Sequence, residues 1–126
     1  MINLLKQYFN KADLSLYGKD LPRAGGTELI TAKLEKFAIE QKYEFKREVF
    51  LGLIRKSNGY KGLIDVILTT SDGIRYAIEI DSSNKKWSLE KLLHAHNIGY
   101  IPIWIRWCTK IKIEIPSVIN LINLNI

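Results

Sequence analysis

Residues 63–81, LIDVILTTSDGIRYAIEID, contain two strongly apolar runs on either side of a Ser-Asp-Gly turn at 71–73. The first run is apolar at both alternating positions, which is typical of a central strand that is covered on both faces. The second run alternates, so that Glu79 and Asp81 share one side and isoleucines take the other. The turn between the runs predicts an antiparallel hairpin.

Further elements surround this hairpin. The predicted core comprises a helix over 28–41 capped by Thr27, strands over 43–51, 63–70 and 74–81, a helix over 88–97 capped by Ser88 and ended by Gly99, and a strand over 100–107. Because the last strand follows a short helix, we expect it to join the sheet parallel to strand 74–81 through a right-handed crossover. The order αβββαβ predicts an α/β fold whose mixed sheet is flanked by helices.

The ends of the chain are predicted to be additions to this core, within one domain over 1–126. Residues 1–26 start with apolar residues at helical spacing, which indicates a helical arm before the core at 27–107. Residues 108–126 alternate isoleucine with charged residues and then turn apolar. This pattern predicts an edge strand over 111–115 and a short helix from Pro116.

Composition limits the classes of protein to consider. Nineteen Lys and Arg residues against thirteen Asp and Glu residues give a net charge of +6, which favours a polyanionic partner. The single cysteine, Cys108, excludes an intramolecular disulfide and a cysteine-rich zinc site. No apolar run approaches the roughly 20 residues that span a bilayer, and no signal-peptide pattern is present. We therefore expect a cytoplasmic protein with no membrane partner.

Acidic residues converge at one end of the predicted hairpin. An ionised carboxylate such as Asp65 inside an apolar strand costs on the order of several kcal/mol unless a cation compensates it. Hairpin pairing places Asp65 beside the end of the next strand, where Glu79 and Asp81 share a face. Three carboxylates in one place suit a hard divalent ion with oxygen ligands. The sequence thus predicts a Mg²⁺ or Mn²⁺ site, which in a basic protein fits hydrolysis of a nucleic acid.

The aspartate, the turn and the following Glu-Ile-Asp, framed by a helix before and a helix and strand after, resemble the PD-(D/E)XK nuclease superfamily over about 27–107. The resemblance implies a restriction-endonuclease-like core and Mg²⁺-dependent cleavage of DNA. It implies that Asp65 and Glu79 bind the metal ion, with Glu28 of the first helix as a further ligand. The third motif position is usually a lysine that activates water, and Asp81 occupies it here.

The Glu-x-Asp variant at 79–81 is similar to that of proteins resembling very-short-patch-repair endonucleases. Those proteins usually carry a histidine shortly afterwards, where this chain has Asn84, Lys85 and Lys86. Three interpretations stay open, and the first two are that Asp81 itself binds metal or that the lysine has moved to Lys85 or Lys86. Loss of activity is the third alternative.

Basic and aromatic residues around the predicted site are expected to contact DNA. Trp87 follows two lysines and can stack on an exposed base. The residues expected at the DNA are Arg23, Lys61, Lys85, Lys86, Trp87 and Arg106. A domain of this size encloses little of a duplex, so cleavage of both strands would need a homodimer.

The same acids also admit a structural interpretation. Asp65 and Glu79 then form a buried ion pair with Arg75 or Lys61, and Asp81 is a turn residue. The chain would in that case be a catalytically inactive nucleic-acid-binding module of the same fold, or a structural or partner-binding domain.

Overall fold

The computed structural model describes residues 1–11 and 23–124, without the side chains of Arg23 and Ala24. The helices are α1 (Ile2–Lys11), α2 (Arg23–Gln41) and α3 (Lys86–Asn97), and the strands are β1 (Glu44–Ile54), β2 (Lys61–Thr69), β3 (Arg75–Asp81), β4 (Ile101–Arg106) and β5 (Asn120–Asn123). The strands form one sheet in the order β1-β2-β3-β4-β5. The described part of the chain is thus an α/β structure with a mixed five-stranded sheet and three helices.

The hairpin at the centre of the sheet is confirmed. The amide of Gly73 donates to the carbonyl of Thr70 at 3.0 Å, and the amide of Thr70 donates to the carbonyl of Ile74 at 2.9 Å. Gly73 has a φ of 88°, a value that glycine adopts without a steric cost. Strands β2 and β3 are therefore antiparallel neighbours, and β4 lies parallel to β3 as predicted.

Helices cover both faces of the sheet. One apolar cluster joins Ile78 and Ile80 of β3 to α2 and also contains Leu5 and Phe9 of α1. A second cluster joins Ala77 of β3 to α3 on the opposite face. The first helix is thus part of the main core rather than only an arm, whereas residues 12–22 of the predicted arm lie outside the described residues. Among the described helices, none combines the length and the apolar composition needed to cross a bilayer.

The predicted starts of two helices are wrong. Helix α2 begins at Arg23, so Thr27 lies inside the helix instead of capping it, and its carbonyl accepts the Thr31 hydroxyl at 2.8 Å. A Cβ on Gly26 would lie 2.2 Å from the ring of Trp107. Packing against Trp107 thus extends the helix through two glycines that would locally favour a turn. Helix α3 begins at Lys86, which places Ser88 buried within its first turn.

Strand β1 does not keep one alternation along its length. Phe45 packs on the main core, whereas Val49 and Leu51 pack on the opposite face with α3, although a regular alternation would place all three on one side. Glu48 between them has a φ of 53°. Glu48 falls opposite Asp65, between the pairs Arg47–Val66 and Val49–Ile64, and Ile64 and Val66 pack on opposite faces of the sheet. The sheet is therefore irregular at the predicted acidic residue.

The C-terminal prediction is also wrong in detail. Residues 111–115 form no strand, and the edge strand is β5, which pairs in parallel with β4. Instead of a helix, Pro116 begins a turn in which the Ile119 amide donates to its carbonyl at 3.0 Å. The open edge of β4 offers hydrogen bonds that a short isolated helix does not, and this favours the strand.

Candidate functional site

Two carboxylates hold β2 and β3 together where the backbone pairing stops. The last pair of the ladder is Val66 with Ile78. Beyond it, Asp65 Oδ2 accepts the amide of Ile80 at 2.8 Å, and Glu79 Oε2 accepts the amide of Asp65 at 2.8 Å. Each acid thus takes a hydrogen bond from the other strand. The predicted meeting of Asp65 and Glu79 is therefore present in the structure.

A lysine absent from the sequence prediction compensates these acids. Lys91 of α3 contacts Glu79 Oε1 through its ammonium group, which also donates to the carbonyl of Leu63 at 2.9 Å. Its side chain is only 12% exposed, and that of Glu79 is 1% exposed. The helical spacing could have identified Lys91 from the sequence. It lies three residues after Ser88 and four before Ala95, and so shares their sheet-facing side.

The two cations considered as partners from the sequence lie elsewhere. The guanidinium of Arg75 stacks over Tyr100 at 4.3 Å. The ammonium of Lys61 lies over the ring of Phe50 at 5.1 Å, on an exposed part of β2. Neither of them supplies the charge beside Glu79, which comes from Lys91.

Asp81 lies at the same end of the sheet but has its own partners. Its Oδ2 accepts the indole N–H of Trp104 at 2.8 Å, and its Oδ1 lies 3.6 Å from the ammonium of Lys85. The Asp81 side chain is 6% exposed and that of Lys85 is 64% exposed. The predicted contact between the acids and Lys85 therefore runs through Asp81, not through Glu79.

One cleft of about 570 Å³ is lined by the acids Asp65, Glu79 and Asp81 and by Lys85 and Lys91. Its other lining residues are Thr27, Ile80, Trp87 and a serine-rich loop after β3. The Ile80 side chain packs in the main core on the other side of the sheet, so its backbone is what faces the cleft. The Ile80 amide points toward β2, and in a strand the amide and carbonyl of one residue point the same way. A carbonyl oxygen thus lies near the two acids.

Burial strongly perturbs the two acids. Desolvation, followed by repulsion from Asp65, raises the pKa of Glu79 to about 8, although the charge of Lys91 opposes the rise. Desolvation also raises the pKa of Asp65, against the hydrogen bond from Ile80 and the charge of Lys91. The pair is therefore short of positive charge, and an added cation would favour the ionised form of both acids.

The donors available match a magnesium ion better than a cage of several acids. Among the residues that the structure describes, no three His, Cys, Asp or Glu side chains are placed to hold one ion together. Asp65, Glu79 and the Ile80 carbonyl nonetheless supply two carboxylates and a neutral oxygen. Mg²⁺ is usually bound through one or two carboxylates and retains several waters. The residues present fit such an ion, whereas the Asp81 carboxylate is already bonded to Trp104 and paired with Lys85.

Two other predicted site residues, Glu28 and Lys86, do not line the cleft. Glu28 accepts two hydrogen bonds from Arg47 at 2.9 and 2.8 Å on the surface, and these lower its pKa. Glu28 and Lys86 are both exposed. The side chain of Arg23 lies outside the described residues. Of the predicted metal ligands, the structure therefore brings together Asp65 and Glu79, with Asp81 nearby.

Arg106 has a structural position rather than an exposed one. It is fully buried, and its guanidinium donates to the carbonyl of Asp81 at 2.7 Å and to the hydroxyl of Thr109 at 2.8 Å. A further bond of 3.3 Å reaches the side-chain oxygen of Asn84. Arg106 thus fixes the loop that carries Lys85, and it does not offer its charge to DNA as the sequence suggested.

Comparison with known proteins identifies no relative of this chain. No protein-family model matches it, and no curated protein or solved structure matches it. The α/β architecture with its mixed five-stranded sheet is established by the coordinates, whereas the restriction-endonuclease-like core stays a prediction. Function has to be inferred from the chemistry of the cleft.

The contribution of the hydrogen bond between Trp104 and Asp81 to stability can be measured by comparison with Trp107. Trp104 and Trp107 are both fully buried, but the indole nitrogen of Trp107 has no hydrogen-bond partner within the described residues. Trp104→Phe should therefore destabilise the protein by about 1–2 kcal/mol more than Trp107→Phe, because only the former leaves a buried carboxylate oxygen without its donor. Urea unfolding of both variants measures the difference, and equal losses would contradict the assigned role of this bond.

The raised pKa of Glu79 predicts how stability changes with pH. Between the ordinary value of 4.5 and the folded value of about 8, the folded chain retains a proton that the unfolded chain releases. Stability should therefore fall as pH rises through this window. Thermal melting in EDTA from pH 5.5 to 9 should show a steeper loss for the natural chain than for Glu79→Gln. Parallel curves would contradict the assignment.

Proposed function

We propose that this chain is a metal-dependent endonuclease that hydrolyses phosphodiester bonds in DNA and has a restriction-endonuclease-like core. The observation that carries the proposal is the buried pair of Asp65 and Glu79, joined by reciprocal side-chain to backbone hydrogen bonds and placed in a cleft beside Lys91. The element order αβββαβ within the structure, with antiparallel β1 to β3 and parallel β4, supports the fold assignment.

Asp65 and Glu79 would hold a Mg²⁺ or Mn²⁺ ion, with the Ile80 carbonyl as a neutral ligand. When bound, such an ion polarises a phosphoryl oxygen and lowers the pKa of a coordinated water. The carboxylates of this chain contribute fixed positions, because each is held by an amide of the opposite strand. Since these bonds exist before substrate binds, little reorganisation is needed during the reaction.

Lys91, rather than Lys85 or Lys86, is the lysine we assign to catalysis. Its ammonium is held by Glu79 and by the carbonyl of Leu63, so its position is fixed. A fixed positive charge at the edge of the carboxylates can donate hydrogen bonds to a phosphate oxygen or orient the attacking water. Lys85 is exposed beside Asp81 and is better suited to hold the DNA backbone.

The surface charge supports a nucleic-acid substrate. The chain has a net charge of +6, and of its exposed lysines Lys85 lines the cleft and Lys86 begins α3 next to it. Phosphate contacts from lysines supply affinity without reading sequence. One cleft cuts one strand, so cleavage of both strands would take two copies of the chain.

A second function is supported by the same ion pair. Because Lys91 already compensates Glu79, the acids can be structural, as they are in a DNA-binding module that cleaves nothing. In that case the loss of Glu79 would destabilise the fold by leaving Lys91 buried without its partner, and the loss of Asp65 would leave the Ile80 amide without its acceptor. A nuclease site instead tolerates the loss of an acid, since carboxylate repulsion is relieved.

Nicking of supercoiled plasmid tests the proposed function. With Mg²⁺ or Mn²⁺, the natural chain should convert supercoiled DNA to the open-circle form. Asp65→Asn should abolish this conversion while keeping the melting temperature. The side-chain amide oxygen of this variant still accepts a hydrogen bond from the backbone N–H of Ile80, but it binds metal poorly. Glu35→Gln, which neutralises an exposed acid of α2, serves as the matched control and should nick at the natural rate.

Three results would count against the nuclease. If the natural chain binds DNA but nicks it with neither ion, the non-catalytic module is favoured. If Asp65→Asn nicks as fast as the natural chain, Asp65 has no part in the reaction. Unfolding of Asp65→Asn would favour the structural role instead.

The assignment of Lys91 has its own test. Lys91→Gln should lower the single-turnover rate of nicking by about 100-fold or more, which is the usual loss when a fixed electrostatic group is removed. Lys85→Gln removes the same charge from the same cleft and should lower the rate by less than about 10-fold, since rim charges act mainly on binding. If Lys85→Gln lowers the nicking rate more than Lys91→Gln does, the catalytic lysine is Lys85, as predicted from the sequence, and not Lys91.

A further inference from the structure

A second groove adjoins the catalytic cleft at the far end of β1. It has a volume of about 520 Å³ and is lined by Arg55, Lys56, Glu90, the end of β1 and the ring of Trp87. Trp87 also lines the cleft that contains Asp65 and Glu79. The two cavities therefore meet at this one indole ring, and a bound chain that occupies both would pass over it.

The ring of Trp87 is held in place from two sides. The guanidinium of Arg55 lies over it, 5.2 Å from the centroid, at a distance typical of a cation–π contact. On β2, Gly62 allows close approach, since a Cβ there would lie 2.9 Å from Trp87 Cζ2 and 3.3 Å from Lys91 Cγ. Trp87 thus packs against the backbone of β2 and beside the aliphatic part of Lys91. It is a rigid planar surface next to the proposed catalytic lysine.

The charges in the groove favour a strand of nucleic acid. Arg55 and Lys56 supply two positive charges at one wall, and Glu90 is the one acid among the lining residues. Phosphates would therefore follow the side of Arg55 and Lys56. Both an indole and a guanidinium present flat faces on which bases stack, and this stacking needs little sequence preference.

We propose that this groove binds an unpaired base of a single-stranded DNA segment and so directs the nuclease to substrates with a single-stranded part. This inference rests on the proposed function. The reason is geometric: within a continuous duplex both faces of each base are covered by its neighbours, so the Arg55–Trp87 stack is useful only when a base is exposed. The substrate class that follows is a flap, a gap or a branched junction rather than an uninterrupted duplex.

Binding without divalent metal separates this inference from the nuclease itself. Fluorescence anisotropy with a labelled single-stranded oligonucleotide and with a blunt duplex of the same sequence, both in EDTA, measures affinity when no cleavage takes place. The natural chain should bind the single strand more tightly than the duplex at the same salt concentration. Plasmid nicking in Mg²⁺ reports on Asp65 and Glu79 independently, so each proposal can fail without the other.

Trp87 also provides an optical signal. Trp104 and Trp107 are fully buried, whereas Trp87 is partly exposed. Stacking of a base should therefore quench the tryptophan fluorescence through Trp87 alone. The quench should appear with the single strand, should be absent with the blunt duplex, and should disappear in Trp87→Phe even though that variant keeps an aromatic face and binds within about threefold of the natural chain.

Three further variants distinguish stacking from charge. Trp87→Leu should weaken binding of the single strand by about tenfold and binding of the duplex by less than about twofold. Arg55→Lys keeps the charge but removes the planar group, so it should share the selective loss. Lys36→Ala, which removes an exposed charge on α2, is the control for a general loss of charge and should weaken both ligands equally.

The decisive comparison is the ratio of the two affinities. A loss confined to the single strand in both Trp87→Leu and Arg55→Lys supports the groove. Equal losses of affinity for both ligands in Trp87→Leu and Arg55→Lys, or no loss in either variant, would overturn it. A fluorescence quench that persists in Trp87→Phe would also overturn it. Melting temperatures identify a variant that fails to fold, and Arg55→Lys, which alters an exposed side chain, keeps the test valid if Trp87→Leu does not fold.

Discussion

Two buried carboxylates facing each other across a hairpin are the constraint around which this structure is arranged. Neither Asp65 nor Glu79 can stay ionised inside an apolar sheet without compensation. The chain supplies an amide to each from the opposite strand and one ammonium, from Lys91, to Glu79. Even so, the pKa of Glu79 is raised to about 8, so the pair remains short of positive charge. That deficit is the physical reason for expecting a divalent ion.

Other features follow from the position of this pair. Regular pairing of β2 with β3 stops at Val66 and Ile78, and β1 changes its alternation at Glu48, opposite Asp65. The amides of Asp65 and Ile80, which a continuous ladder would have used, donate to the two carboxylates instead. Helix α3 packs on one face of the sheet and brings Lys91 against Glu79. The buried Arg106 fixes the loop between β3 and α3, and thereby the approach to the cleft.

Local patterns predicted the hairpin, the order of the core elements and the meeting of Asp65 with Glu79, because the turn and the strand alternation determine them directly. They did not predict Lys91, whose role depends on how α3 packs, although its helical spacing from Ser88 held the signal. The wrong prediction of Thr27 as a helix cap has a similar cause. Packing against the Trp107 ring favours helix at glycines that would locally favour a turn. Glu28 follows the expected motif but is bound by Arg47, a partner that only the tertiary fold supplies.

Anomalous scattering from crystals grown with Mn²⁺ at pH 8 tests the central claim most directly. At that pH the ion has to favour the ionised form of Glu79 over the protonated one. The structure predicts one strong peak between Asp65 and Glu79, with both carboxylates and the Ile80 carbonyl as protein ligands, and with Asp81 still bound to Trp104. No peak at that position, with the ammonium of Lys91 still on Glu79 at saturating Mn²⁺, would show that the lysine alone satisfies the acids and that the cleft is not a metal site.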